Sequence, residues 1–110
     1  MKVQAAWMTE LPFRDGFFDA AYAVESLEHA VEIEAAVREI CRVVKRGGTV
    51  VIIDKNADEE GRVAVPRWER WFGRRELERM LEAFCTTVSS QFLAHSEPDD
   101  LLFIGWVARK

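Results

Sequence analysis

Two hydrophobic periodicities divide the chain. Phe17 to Val24 is an almost unbroken apolar run, entered through a turn at Arg14-Asp15-Gly16 and left abruptly at Glu25, Glu28 and His29. A run of this length bounded by turn residues predicts a strand over about Phe18–Val24, covered on both faces. The spacing then changes. Ile33, Ala36, Val37, Ile40, Cys41 and Val44 recur at three- and four-residue intervals and predict a helix over about Ile33–Arg46. Glu32 and Glu34 near its start, and Lys45 and Arg46 at its end, complement the helix dipole. Gly47 suits the left-handed C-terminal cap. Thr49 to Asp54 is β-branched and apolar and predicts the next strand. Strand, helix and strand with short links form a βαβ unit with parallel strands.

The second half is less regular. Residues 55–72 are a long polar connection leaving the carboxyl end of that strand, where a long loop is usually functional. Trp68, Trp71 and Phe72 close it, either pinning the loop to the core or walling a substrate pocket. After Gly73, Leu77, Met80, Leu81 and Phe84 form an apolar stripe that predicts a helix over about Arg74–Phe84. Thr86–Ala94 is a more polar strand, suited to a sheet edge. Leu101–Ala108 is apolar on both faces and predicts a central strand, antiparallel to the preceding one across the turn Glu97-Pro98-Asp99-Asp100. Lys2–Ala6 suits a short strand at the N-terminus.

Composition narrows the class. With 110 residues, 49% hydrophobic and 31% charged, the expectation is one globular domain over 1–110. A net charge of -4, with basic residues spread along the chain, argues against nucleic acid as a partner. No apolar run approaches the roughly 20 residues that cross a bilayer, so no membrane is expected. The N-terminus lacks a signal-peptide core, which points to the cytoplasm. Cys41 and Cys85 fall in apolar helical patterns without a CxxC or zinc spacing and are expected as reduced core residues.

Two segments carry a family resemblance. LPFRDGFFDAAYAVESLEHA and REICRVVKRGGTVVIID, at this separation, resemble the second half of a class I S-adenosylmethionine-dependent methyltransferase. The resemblance covers essentially the whole chain. It implies an α/β fold, a truncated Rossmann-like methyltransferase sheet with strands equivalent to 4-5-7-6, the last strand antiparallel, and flanking helices. The family's glycine-rich cofactor loop is absent: the six glycines stand at 16, 47, 48, 61, 73 and 105, and none forms a GxGxG pattern. With that order the Phe18–Val24 strand, normally central, becomes an apolar edge, and a homodimer built on this edge is expected.

The resemblance also implies a site. S-adenosylmethionine is the implied cofactor and a small molecule the methyl acceptor. Trp7 and Met8 match the loop that lines the adenine. Val24, Glu25 and Ser26 match the end of the fourth strand, beneath the reactive methyl group. Methyl transfer needs alignment of nucleophile, methyl carbon and sulfur, and a base where the acceptor is protonated. Glu25 and His29 are the candidate bases. Asn56, Trp68 and Trp71 are the candidate substrate contacts, with Asp54 and Lys55 at the same edge, although a solvated loop start is the favoured reading of 54–56. Glu25, Glu28 and His29 spell the E-x-x-E-H metal-binding pattern of some O-methyltransferases. The ligand count is short, and no metal is expected. A non-catalytic module that dimerises through the strand edge is the alternative reading.

Overall fold

The computed structural model describes residues 13–24, 32–57, 71–93 and 102–110. The elements run β1 (Phe18–Val24), α1 (Ile33–Val43), β2 (Val44–Lys55), α2 (Arg74–Glu82), β3 (Thr87–Leu93) and β4 (Phe103–Arg109). The four strands form one sheet in the order β1-β2-β4-β3. β1 and β2 are parallel, while β4 is antiparallel to both β2 and β3. This is the expected order 4-5-7-6 with the last strand reversed.

Both helices cover one face of the sheet. Ala21 and Ala23 of β1, Val50 and Ile52 of β2, and Ile104, Trp106 and Ala108 of β4 are buried in one cluster with Ile33, Val37, Ile40 and Cys41 of α1 and Leu77 and Leu81 of α2. Register explains the pattern, since Ala21 pairs with Val50 and Val50 with Ala108, so alternate residues on adjacent strands point the same way. Trp106 is fully buried, and its Nε1–H donates to the Arg74 carbonyl at 2.8 Å, which joins the sheet to the first turn of α2. The opposite face is more open. Tyr22 is 54% exposed, Val24 50% and Val107 42%. β1 is therefore buried on one face and open on the other, not covered on both as its apolar run predicts. An apolar run does not distinguish the two cases, because the face that is covered depends on elements elsewhere in the chain.

The junction of α1 and β2 departs from the expected geometry. The helix ends at Val43, and Val44 is already extended (φ -90°, ψ 135°) and pairs with Phe18. Between the pairs Phe18↔Val44 and Ala20↔Thr49 the register shifts, because β2 advances five residues while β1 advances two. The bulge is built around glycine. Gly47 has φ 84°, yet it sits within this bulge and does not cap the helix. A Cβ on Gly48 would lie 2.5 Å from the Asp19 carbonyl oxygen and 2.6 Å from Val44 Cγ1, so glycine alone fits between the strands here. Val44 is fully buried, so its hydrophobicity is used in either geometry and the three-four spacing cannot place the boundary.

Side chains fasten the periphery. Arg42 donates to the Phe13 carbonyl and to Asp15 Oδ1, both at 2.8 Å, and holds the approach to β1 against α1. Phe17, at the head of the apolar run, is half exposed and stacks on Phe13. α2 ends at Glu82, two residues before the expected Phe84, which lies 39% exposed outside the core. α2 is tied to the edge strand β3 by a charged network. Ser90 donates from Oγ to the buried Glu78 carboxylate and accepts from Arg74 Nε at 2.7 Å, while Arg75 reaches Glu78 Oε1 at 3.0 Å. The Ser90 hydroxyl, followed by the two arginines, holds the Glu78 carboxyl below the usual carboxylate range.

Gly48→Ala should cost about 1–3 kcal/mol in urea denaturation, because the added methyl meets backbone on both sides. An effect under about 0.5 kcal/mol would contradict the close approach. Ser90→Ala should destabilise the protein by about 1–3 kcal/mol at pH 7. Because Glu78 titrates lower in the folded state, the stability it contributes is present above the ordinary carboxylate value and lost as pH falls through the folded one. The gap between Ser90→Ala and the parent protein should therefore narrow in acid. A gap that is constant from pH 7 to pH 3 would show that the carboxylate is not the partner.

Candidate functional site

The parallel strands β1 and β2 end on the same side of the sheet, which in an open α/β fold is the ligand edge. Val24 closes β1 opposite Ile53. One residue further along β2 come Asp54, Lys55 and Asn56, and all three are buried. A solvated loop start is therefore excluded for 54–56.

Their burial has identifiable causes. Lys55 pairs with Phe103, the first residue of β4, and Asn56 donates its N–H to the Leu102 carbonyl at 2.7 Å. On the other side the chain returns from the long connection and Phe72 forms a parallel bridge with Asn56. Phe72 donates its N–H to the Lys55 carbonyl at 3.0 Å, and Ala57 donates back to the Phe72 carbonyl at 2.9 Å. β2 thus ends between two segments, each fixed by backbone hydrogen bonds. Asp54 Oδ1 accepts from the Lys55 N–H at 2.9 Å. The Lys55 ammonium lies 5.9 Å from the centre of the Trp71 ring, a cation–π distance. Trp71 is itself buried. A carboxylate, a cation and an amide thereby occupy consecutive, buried positions at the strand end.

Of the candidate cofactor, catalytic and substrate residues, the structure describes Val24, Asn56 and Trp71. It brings Asn56 and Trp71 to the same strand end and sets Val24 at the end of the neighbouring strand. Trp7, Met8, Glu25, Ser26, Glu28, His29 and Trp68 lie outside the described residues. Among the described residues there is no group of three His, Cys, Asp or Glu placed to hold a metal ion. Sequence reasoning did not foresee the Phe72 bridge or the Lys55–Trp71 contact. The only signal was the aromatic cluster at the end of the long connection.

A separate groove of about 840 Å³ runs between the helices, with Ile33, Met80 and Phe84 in its lining and Glu32, Glu34, Arg38, Glu76 and Arg79 around them. None of the candidate site residues lines it.

The described residues do not include a glycine-rich cradle for S-adenosylmethionine. Such a ligand needs backbone N–H groups at a glycine-rich turn leading into a helix. The described glycines lie before β1, in the β2 bulge, at the start of α2 and within β4. None follows the carboxyl end of a parallel strand as a loop.

Comparison with known proteins agrees with the fold. A family model described as a methyltransferase domain matches residues 1–52. The chain is 40% identical over 53 residues to a sterol 4-C-methyltransferase of Caenorhabditis elegans, covering 48% of this chain and 16% of that protein. It is 39% identical over 82 residues to a demethylmenaquinone methyltransferase of Paenarthrobacter aurescens, covering 74% of this chain and 30% of that protein. The chain thus spans less than a third of the length of these curated relatives. Among solved structures, the 1,6-didemethyltoxoflavin-N1-methyltransferase of Burkholderia thailandensis, with bound S-adenosylhomocysteine, superposes with a TM-score of 0.70 at 24% identity, over 94% of this chain and 48% of that one. At that identity the likeness shows the fold. The sequence matches and the order of the described strands agree, and the chain is similar to part of a class I S-adenosylmethionine-dependent methyltransferase.

Proposed function

We propose that this chain is the acceptor-side half of an S-adenosylmethionine-dependent methyltransferase acting on a small molecule, and that it is catalytically incomplete when isolated. In this reading residues 1–110 form one cytoplasmic domain. Trp7, Met8, Val24, Glu25 and Ser26 contact the cofactor, and Glu25 or His29 takes the proton of the acceptor. Asn56, Trp68 and Trp71 wall the acceptor pocket. The observation that carries the reading is the buried strand end: Asp54, Lys55 and Asn56 sit beside the end of β1, with Lys55 against Trp71. Support for methyl transfer to a small molecule comes from the curated relatives, which include a sterol and a demethylmenaquinone methyltransferase. The cofactor supplies the methyl group when bound, and the chain's own part is to align the acceptor and hold its proton.

The incompleteness has a direct test. Calorimetric titration of the chain with S-adenosylhomocysteine should give no saturable heat up to about 1 mM, a binding energy of only about 4 kcal/mol. A micromolar dissociation constant would show that the cofactor is held without a glycine loop and would overturn the incompleteness.

A second reading, a non-catalytic module that pairs through β1, is favoured by one observation. β1 is the outermost strand of the described sheet, and Tyr22 and Val24 stand half exposed along it. Light scattering should then report about twice the 12.7 kDa chain mass. Tyr22→Lys should weaken the dimer at least about tenfold, since edge lysines oppose strand pairing. A monomer at high concentration would contradict the pairing.

A further inference from the structure

Cys41 and Cys85 are 44 residues apart in sequence, and their sulfurs lie 3.7 Å apart. They are the chain's two cysteines, and both are free thiols. Cys41 is 1% exposed, in the last turn of α1. Cys85 is partly exposed and follows α2, where its N–H is held by the Leu81 carbonyl at 2.9 Å. Both backbones are thus fixed by helical hydrogen bonds, and the sulfurs meet between the ends of two elements. The methyltransferase reading makes no use of either group.

We propose that Cys41 and Cys85 form a site of reversible oxidation, closing to an intramolecular disulfide with hydrogen peroxide as the oxidant. Cys85 reacts first because it is the less buried of the two residues. Its thiolate attacks one peroxide oxygen, so that an S–O bond forms and the O–O bond breaks. The hydroxide released takes up a proton and becomes water, leaving a sulfenic acid on Cys85. The Cys41 sulfur then attacks the Cys85 sulfur. An S–S bond forms, the S–O bond breaks, and the hydroxyl leaves as water with the Cys41 proton. Two thiols lose two electrons and one peroxide becomes two waters.

The geometry favours this second step over the alternatives. The sulfurs already lie at 3.7 Å, against a disulfide bond of about 2.05 Å. A sulfenic acid on Cys85 therefore has its resolving thiol in contact. Burial, then the neighbouring Cys85, pushes the Cys41 thiol up to about 12, so it remains protonated until the sulfenic acid forms. Burial also raises Cys85, while the Lys110 ammonium, bonded to the Val44 carbonyl at 2.9 Å, opposes the rise at both sulfurs. The reaction is accordingly slower than at an activated thiolate. Its specificity comes from placement and not from rate.

The test is oxidation of the whole chain with hydrogen peroxide under native conditions. The intact mass should fall by about 2 Da, and titratable thiols should go from two to none. Tryptic digestion without reductant should join the peptide of residues 39–42 to that of residues 80–109, and dithiothreitol should separate them. Cys41→Ser should accumulate a dimedone adduct on Cys85 at least about fivefold above the parent protein, because the sulfenic acid loses its resolving thiol. Cys85→Ser, which alters the more accessible position, should react with peroxide at least about fivefold more slowly at its remaining thiol. Stepwise mass gains of oxygen in the parent protein, disulfides between chains, or a dimedone adduct equal in the parent and Cys41→Ser would each overturn the proposal.

Discussion

The structure depends on the burial of one strand. β2 is the described strand that pairs on one side with a parallel neighbour and on the other with an antiparallel one. Its residues Val50 and Ile52 lie fully buried beneath the two helices. Fully burying a side chain of this kind is worth about 1.5–3 kcal/mol, so β2 contributes disproportionately to a small core. Its position also sets the other elements. Parallel pairing with β1 requires a crossover, which α1 supplies, and antiparallel pairing with β4 brings Trp106 beneath α2. The glycine bulge at the start of β2 follows from the same constraint. The chain leaving α1 must pass within 2.9 Å or less of the Asp19 and Lys45 carbonyl oxygens, measured from where a Cβ on Gly48 would stand.

Much of this was legible in the sequence. The β1 bounds, the start of each helix, the strand order and the edge position of β3 all follow from periodicity, turn residues and the family resemblance. What was not legible depends on contacts between distant segments. Val44 suits the last turn of a helix and the first residue of a strand equally well, and only its pairing with Phe18 decides. Asp54, Lys55 and Asn56 are polar residues after a strand, which commonly face water. Here the return of the chain at Phe72 and the start of β4 bury them. Cys41 and Cys85 each read as core residues, and nothing in their spacing brings the two sulfurs together.

The same distinction separates fold from function. The sheet order and the matched segments carry the family, because they reflect packing that any member must satisfy. The acceptor is chosen by loops, which differ among proteins sharing a fold. The chain is anchored again at Trp71 and Phe72, beside the end of β2. The polar residues 54–56 are buried, with backbone hydrogen bonds to Leu102 on one side and Phe72 on the other. The backbone cradle that an anionic or zwitterionic cofactor tail requires is not built by any described glycine.

In the proposed function this chain supplies the acceptor side of a methyltransferase site, and no described glycine builds the cofactor cradle. The most direct measurement joins to its N-terminus the strand, glycine loop and helix of the demethylmenaquinone methyltransferase relative, and measures S-adenosylhomocysteine binding by calorimetry. The account predicts saturable binding in the micromolar range, weakened at least about tenfold, or about 1.4 kcal/mol, when Val24 at the end of β1 is changed to Asp. A folded fusion that binds no S-adenosylhomocysteine, or that binds it equally well with Val24→Asp, would contradict it.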